Sequence, residues 1–367
     1  MPVRHEHGTM GKSDFICNVL VLGRTGSGKS SLLNYLTGEK LADSGVGKPV
    51  TGEGIYEYET KVNGQPVRIF DSWGIEANKT EEWNKLLASE LSKRGADKDI
   101  SEWFHAIVYC INGAGHRVED IDIAIIKDFI DSKNHIVVVC TNADKIDSSD
   151  EQKLKECIVK ECGITKDGVV GTCSVSKQIR GSYSVPFGRD ILQQSIFIGW
   201  KRSVIDLLPK RCIYLAEREI DHLRRKLKAK LYVNSGDISM WDNSEIVKEI
   251  GGLFSEFYGN IDEMLSKIVQ HELSLCANCQ QQLCEALLPG FNINNIRSLS
   301  SVVTGLNVLF PTDGTIERIF NWFLGCAKDN ARKEIEELID RNVCVLIANL
   351  KSQEPKIKAK IEEILLG

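Results

Sequence analysis

One eight-residue stretch constrains the fold more than any other: residues 23–30 read Gly-Arg-Thr-Gly-Ser-Gly-Lys-Ser. The apolar run before it, residues 15–22, predicts a buried strand of a parallel sheet. Residues 31–38 predict a helix that ends at Gly38. A strand, the pattern G-x-x-x-x-G-K-S and a helix, in this order, indicate a phosphate-binding loop. Its glycines let backbone N–H groups surround a polyphosphate, and the start of the helix adds positive charge.

Residues of this loop are therefore candidate nucleotide ligands. We expect Lys29 to reach the β- and γ-phosphates, which also makes it a candidate catalytic residue, and we expect the Ser30 hydroxyl to bind Mg²⁺. The alternative is a glycine-rich turn without a ligand, which the complete spacing of the motif disfavours. The candidate nucleotide-binding residues of the loop are Gly23, Arg24, Thr25, Gly26, Ser27, Gly28, Lys29, Ser30 and Ser31.

A second candidate phosphate contact follows another predicted strand. Residues 55–62 alternate like a strand, Asn63-Gly64 is a hairpin signal, and residues 67–70 predict the next strand. That strand leads into Asp71-Ser72-Trp73-Gly74, the D-x-x-G spacing of a γ-phosphate sensor in GTPases. We expect Asp71 to bind Mg²⁺ through water and the Gly74 N–H to face the γ-phosphate, which makes Gly74 a candidate catalytic residue.

Two further loops point to a guanine base. The loop Thr141-Asn142-Ala143-Asp144 directly follows a predicted buried strand. In loops of the form N/T-K-x-D the aspartate accepts two hydrogen bonds from guanine, and adenine lacks this pair of donors. Asp144 fits that role, whereas Asn142 stands where a lysine usually packs over the base. A shifted reading over residues 144–147 begins with the wrong residue. The last loop carries Ser174-Val175, which we expect to contact the base mainly through the backbone.

These motifs in this order resemble the G domain of TRAFAC-class GTPases, in particular its Era/TrmE/septin-like branch. Residues 109–112 and 117–119 resemble Era-like proteins labelled 50S ribosome-binding GTPases. The resemblance covers residues 14–200 and implies an α/β P-loop NTPase fold, a mostly parallel sheet wrapped by helices, with nucleotide at the carboxyl ends of the strands. It implies Mg²⁺ as cofactor and GTP or GDP as ligand. It also implies that Thr51 is the first-switch threonine, which binds Mg²⁺ and takes part in catalysis.

Two departures from related GTPases bear on mechanism. Ile75 follows the D-x-x-G motif, where some GTPases carry a glutamine that orients the attacking water. We therefore expect an isolated monomer to hydrolyse GTP slowly, with the backbone, a partner protein or a second subunit in a G-domain homodimer positioning the water. Trp73 is either an anchor of that dimer or packs in its own domain. Gly26 stands where potassium-activated relatives carry asparagine, so we expect no potassium-bound mechanism.

Length and composition predict two folded parts. The chain has 367 residues and a net charge of −5, which argues against attraction of the whole protein to nucleic acid. It has no apolar run that could span a membrane and no secretory signal, and its twelve cysteines are typical of reduced thiols in a cytoplasmic protein. We expect residues 1–13 to be a disordered leader or tag remnant, residues 14–208 a GTP-binding domain and residues 209–367 an all-α domain.

The all-α part shows one basic helix. Pro209 separates it from the preceding segment, and apolar residues recur at helical spacing from Ile213. Its outer face is either a solvated helix surface, the favoured interpretation, or a contact for an anionic membrane or nucleic acid. The basic residues are Arg218, Arg224, Arg225, Lys226, Lys228 and Lys230. Further helices are predicted over 243–275, 278–288, 295–309, 314–349 and 354–366.

One cluster of candidate zinc ligands lies in these helices: His271, Cys276, Cys279 and Cys284. The segment reads as helix without a turn between the ligands, which would spread the side chains around the axis. Reduced cysteines are therefore favoured over a zinc site.

Three functions are consistent with the sequence. The leading one is a Mg²⁺-dependent GTP-hydrolysing switch, with the helical part contacting an effector or another protein partner. The second is a septin- or dynamin-like module in which GTP controls assembly or peripheral membrane contact, with little turnover. The third, an ATPase or small-molecule kinase, is opposed by the D-x-x-G motif and by the loop over residues 141–144.

Overall fold

The structure is a computed structural model. The predicted leader, Thr51, Trp73, Gly74 and the predicted helix 295–309 lie outside the residues that it describes. Those described are residues 16–38, 48–49, 55–72, 75, 80–132, 134–175, 178–179, 182–183, 185–234, 243–288 and 331–366.

A mostly parallel sheet forms the centre of the first part of the chain. Within the described residues its strand order is β2-β3-β4-β1-β5-β6-β7. Strand β1 is parallel to β4 and β5, the sheet continues in parallel through β6 and β7, and β3 is antiparallel to β4. The strands are β1 (Cys17–Gly23), β2 (Lys48–Pro49), β3 (Ile55–Val62), β4 (Gln65–Ser72), β5 (Ala106–Asn112), β6 (Val137–Thr141), β7 (Val169–Gly171), and a separate pair, β8 (Gln178–Ile179) and β9 (Ser182–Tyr183).

The apolar runs of the sequence account for this sheet. All seven residues of β1 are buried, as expected of a strand covered on both faces. Asn63 and Gly64 adopt left-handed backbone conformations, with φ of 50° and 83°, so the predicted hairpin between β3 and β4 is confirmed. The flanking helices are α1 (Lys29–Thr37), α2 (Thr80–Ser92), α3 (Asp120–Asp131) and α4 (Ser148–Cys162).

Parallel strands bring the predicted loops to one edge. The phosphate loop follows β1, Asp71 lies near the end of β4, and Thr141 ends β6. Because β4, β1, β5 and β6 run in the same direction, their carboxyl ends lie at the same edge of the sheet. The α/β fold class inferred from the motifs is thus confirmed.

Four further helices follow among the described residues; the first two are longer than the sequence predicted, and the last has the predicted bounds 354–366. They are α5 (Arg189–Asn234), α6 (Asn243–Leu287), α7 (Ala331–Ser352) and α8 (Glu354–Leu366). The predicted helix 314–349 is described only from residue 331. The prediction that Pro209 separates two segments was wrong, because Pro209 lies inside α5. Pro209 is itself buried, as are Leu208 and Cys212 on the same helix, so tertiary packing outweighs the cost of a proline in the helix. The break predicted between residues 275 and 278 is also absent from the continuous helix α6.

Contacts divide the chain into two compact units. One comprises residues 1–206 and 275–296, and the other comprises residues 207–274 and 297–367. The sequence pattern placed all of α6 in the helical domain, whereas its last turns lie in the first unit. There, Asn63 Nδ2 donates to the Ala286 carbonyl at 2.6 Å, and Gln65 Nε2 donates to Glu285 at 2.8 Å. The end of α6 therefore holds the tip of the β3–β4 hairpin.

Several charged side chains in the described part of the second unit pair with one another. Arg211 and Glu272 form a buried ion pair at 2.6 Å. On the predicted basic face, Arg224 lies 2.7 Å from Asp221, and Lys228 lies 2.7 Å from Asp340. These pairs support the interpretation as an ordinary helix surface. No helix among the described residues is both long and apolar enough to cross a membrane.

The candidate zinc ligands do not share one environment. His271 is exposed, whereas Cys276, Cys279 and Cys284 are buried. Across the described part of the chain, no group of three or more metal-ligating side chains is present. The described cysteines are free thiols.

Candidate nucleotide site

A cavity of about 370 Å³ lies at the carboxyl edge of the sheet. This volume is within the usual range of small-molecule sites. Three of the predicted loops contribute to its wall, although they are far apart in the chain. The residues that line it are Gly26, Gly28, Lys29, Ser30, Ser31, Thr141, Asn142, Asp144, Cys173, Ser174 and Val175. The sequence predicted all of them except Cys173.

The phosphate loop needs glycine for two different reasons. Gly23 has φ of 140°, and a Cβ atom there would lie 2.5 Å from the Cys110 carbonyl oxygen. Gly28, the residue before α1, has φ of 87°, and a Cβ atom there would touch the Thr141 side chain. Both positions thus exclude a side chain by conformation and by space.

Lys29 is held inside this loop. Its Nζ donates to the carbonyl oxygens of Gly23, at 2.8 Å, and Arg24, at 3.1 Å. Burial lowers the pKa of the Lys29 ammonium, and the Asp71 carboxylate opposes this shift. The ammonium therefore lies at the cavity wall, poorly solvated and ready to exchange a carbonyl contact for a phosphate oxygen.

Asp71 lies on the neighbouring strand β4, near enough to Lys29 for the two charges to interact, although it does not line the cavity. Burial raises the pKa of Asp71 to about 6, while the Lys29 charge opposes this shift. Its Oδ1 atom is buried and has no hydrogen-bond partner among the described residues. A buried carboxylate oxygen without a donor is suited to a hard cation, and the Ser30 hydroxyl adds a second oxygen ligand at the cavity. Asp71 and Ser30 therefore fit Mg²⁺.

The predicted guanine loop is joined directly to the phosphate loop. The Thr141 hydroxyl donates to the Ser27 carbonyl oxygen at 2.6 Å. The backbone of the loop is fixed as well, since Ala143 N–H donates to the Thr172 carbonyl and Thr172 N–H donates to that of Cys140. Thr141 thus acts as a link between the two loops, a role that its position in the sequence did not reveal.

Asp144 supplies the acceptor expected of a guanine site. It lies in a short 3₁₀ turn, Ala143–Lys145, and lines the cavity. Its Oδ2 atom is buried, with no hydrogen-bond partner among the described residues. A carboxylate in this position can accept hydrogen bonds from a ligand that presents two adjacent donors, as guanine does with its N1–H and N2 amine.

The loop after β7 completes the wall of the cavity. Cys173 pairs with Phe187 through two backbone hydrogen bonds of 3.1 and 3.0 Å, which fixes the loop beside α5. Ser174 and Val175 then line the cavity, and the buried Ser174 Oγ has no partner among the described residues.

Some phosphate-loop candidates do not line the cavity. Gly23, Arg24, Thr25 and Ser27 are absent from its wall, and their direct contact with nucleotide stays a prediction. The Arg24 guanidinium instead lies 3.6 Å from Glu119, which precedes α3.

Ile75 does not line the cavity. It forms a β-bridge with Arg24, and its N–H donates to the Gly23 carbonyl at 3.3 Å. Its side chain is only 2% exposed and belongs to the hydrophobic core beneath the sheet edge. This side chain therefore cannot orient an attacking water molecule.

Known proteins match the first part of the chain. Residues 18–142, about a third of the chain, match the model of the family described as 50S ribosome-binding GTPase. Translocase of chloroplast 108 from Physcomitrium patens is 33% identical over 94 residues, which are 25% of this chain and 9% of that protein. Septin-14 from Homo sapiens is 26% identical over 169 residues, which are 41% of this chain and 39% of that protein. The chain thus spans less than half the length of these curated relatives.

A solved structure of Toc33 from Arabidopsis thaliana in complex with Mg²⁺ and GMPPNP is also similar. It is 20% identical, and the alignment covers 51% of this chain and 84% of that chain with a TM-score of 0.35. The family match and the sheet order together confirm the resemblance inferred from the motifs: residues 18–142 form a G domain of the kind found in GTPases.

Proposed function

We propose that the protein binds GTP together with Mg²⁺, hydrolyses it to GDP and phosphate, and acts as a nucleotide-dependent switch. One observation carries the proposal. A single cavity joins the buried Lys29 ammonium to Asp144 Oδ2, which has no hydrogen-bond partner among the described residues. A nucleoside triphosphate matches this arrangement, with phosphates at the cationic loop and a base with two donors at Asp144.

The two ends of the cavity select different parts of the ligand. The N–H groups before α1 and Lys29 attract phosphate oxygens. Asp144 favours guanine over adenine, because adenine would leave the carboxylate facing no matching pair of donors. GTP is therefore preferred to ATP in this proposal, which disfavours the ATPase or kinase alternative.

Ser30 and Asp71 would hold Mg²⁺, which neutralises negative charge on the phosphates when bound. Lys29 stabilises the charge that develops as the terminal phosphoryl group is transferred. Thr51 and Gly74 are proposed as contacts to the γ-phosphate on the resemblance alone, since neither belongs to the described residues.

Turnover by the isolated protein is proposed to be slow. Positioning the nucleophile supplies much of the catalysis in phosphoryl transfer, and the side chain at position 75 is apolar and buried. A partner protein or a second copy of the chain is then required to complete the site. The second compact unit, residues 207–274 and 297–367, is helical in its described part and is proposed as the effector or partner region.

Phosphate release from GTP by full-length protein with Mg²⁺ tests the proposal. Lys29→Ala removes the charge from the phosphate loop and should lower hydrolysis by at least about a hundredfold. Lys160→Ala removes an exposed lysine of α4 and serves as the matched control, which should behave like the unsubstituted protein. Equal hydrolysis by the Lys29→Ala and Lys160→Ala proteins would contradict the assignment of the phosphate loop.

A further inference from the structure

Asn142 stands at the cavity where the resemblance leads us to expect a lysine. Its backbone is left-handed, with φ of 51°, and its side chain lines the cavity beside Asp144. Asparagine adopts this backbone conformation more readily than lysine does. The side chain is also much shorter than lysine, so it covers a base only if it is held in the right place.

The side chain of Asn112 restrains that of Asn142 by a hydrogen bond. Asn112 ends β5 and is in register with Thr141 at the end of β6, so it lies next to the guanine loop. Its Oδ1 atom accepts a hydrogen bond from Asn142 Nδ2 at 3.0 Å. The same oxygen accepts from Ala114 N–H at 3.2 Å, which fixes the orientation of the Asn112 amide. Two donors thus converge on one carbonyl oxygen beside the cavity.

We propose that Asn112 is a positioning residue for guanine-nucleotide binding, which holds the Asn142 amide at the wall of the cavity against the base. This inference rests on the proposed function. A side chain that a hydrogen bond restrains before binding loses less conformational freedom when the ligand arrives, so the pair raises affinity by preorganisation. Asn112 acts through Asn142 and does not line the cavity itself.

A purely structural role for Asn112 makes a different prediction. Asn112 also caps the 3₁₀ turn Gly113–Gly115 through Ala114 N–H, and loss of that cap alone would destabilise this turn. Asn112→Ser separates the two roles, because serine caps helical turns well but is too short to reach Asn142. Asn142→Ala removes the other partner of the hydrogen bond.

The test is a double-mutant cycle on full-length protein, with GTP affinity measured by calorimetry for Asn112→Ser, Asn142→Ala and the double variant. Each single substitution should weaken GTP binding about three- to tenfold. The double variant should bind GTP with the same affinity as the single variant that binds it less tightly. The affinity for inorganic tripolyphosphate, which has no base, should stay the same in all of them. Asn134→Ala, before the start of β6, is the control for loss of an asparagine elsewhere.

Three results would overturn the inference. If the two single effects multiply in the double variant, Asn112 does not act through Asn142, while the proposed function stands. If tripolyphosphate binding falls in parallel with GTP binding, Asn112 has only a structural role. If the unsubstituted protein fails to bind GTP, the inference and the proposed function both fail.

Discussion

Acid should destabilise the G domain through one buried histidine. His105 is 2% exposed and precedes β5. Its Nδ1 accepts a hydrogen bond from the Asn18 N–H at 2.8 Å, so the ring proton is on Nε2, which donates to the Ile100 carbonyl at 2.9 Å. Protonation would place a proton on Nδ1, which would then face the Asn18 N–H, so that two donors would oppose each other.

The size of the effect follows from the shift in pKa. Burial lowers the pKa of His105 from 6.5 to about 4, so the unfolded chain binds a proton at a higher pH than the folded protein does. The contribution of the neutral His105 ring to the free energy of unfolding is therefore complete above pH 6.5 and is lost as the pH falls toward 4. The loss amounts to about 2 kcal/mol at pH 5 and about 3 kcal/mol at pH 4, a large share of the stability of an ordinary domain.

The assay is urea unfolding at pH 7.5 and pH 5.0, followed by hydrogen exchange of peptides from β1 and β5. His105→Asn keeps an acceptor for the Asn18 N–H but does not titrate, so its stability should change less between the two pH values, by about 2 kcal/mol. His116→Asn, at a half-exposed histidine, should keep the full pH dependence. If the His105→Asn protein loses as much stability at pH 5.0 as the unsubstituted protein, the reasoning from the buried ring is wrong.

Three further substitutions test the packing that supports the site. Gly23→Ala should abolish GTP binding in calorimetry, because its Cβ would overlap the Cys110 carbonyl oxygen. Thr141→Val should weaken GTP binding about tenfold by releasing the phosphate loop at Ser27, a loss that calorimetry measures. Leu283→Ala, at a fully buried position of α6, should destabilise the first unit by about 3 kcal/mol, measured as faster hydrogen exchange in β1.

Each of these substitutions has a control. Gly163→Ala has a similar left-handed conformation, with φ of 71°, but no atom near the added methyl group, so it should leave GTP binding unchanged. Thr141→Ser keeps the hydroxyl and should bind GTP like the unsubstituted protein. Val345→Ala, at a side chain that is 59% exposed, should leave stability unchanged. If the Gly23→Ala protein binds GTP, or if the Thr141→Val protein keeps its GTP affinity, the corresponding contact in the phosphate loop is contradicted. If hydrogen exchange in β1 is unchanged in the Leu283→Ala protein, the proposed packing of α6 is contradicted.

Local patterns were sufficient to predict the cavity, because each loop carries its chemistry in a few adjacent residues. The glycines of residues 23–28, Asp71 and Asp144 each lie at the end of a strand with a clear apolar pattern or directly after it. Parallel pairing of the strands then places these loops together. The hairpin at Asn63-Gly64 is equally local, since a left-handed turn requires such residues.

Other features depend on contacts between distant parts of the chain and were missed. The end of α6 lies against the β3–β4 hairpin, more than 200 residues earlier, through Asn63 and Gln65. Pro209 lies inside α5 because buried neighbours outweigh its local cost. The bonds from Thr141 to Ser27 and from Asn142 to Asn112 also join separate loops. The residue pattern within one segment cannot predict contacts between side chains of distant segments.

The most direct test of the central claim is the choice of base. Calorimetry should give a micromolar Kd for GTP, about −8 kcal/mol, with binding at least about a hundredfold tighter than that of ATP. Asp144→Asn should weaken GTP and strengthen xanthosine triphosphate, whose ring presents the reversed donor pattern. Asp147→Asn, which keeps the cap of α4, should leave the order of the nucleotides unchanged. Equal affinity for GTP and ATP, or an Asp144→Asn protein that still prefers GTP, would contradict the assignment of a guanine site.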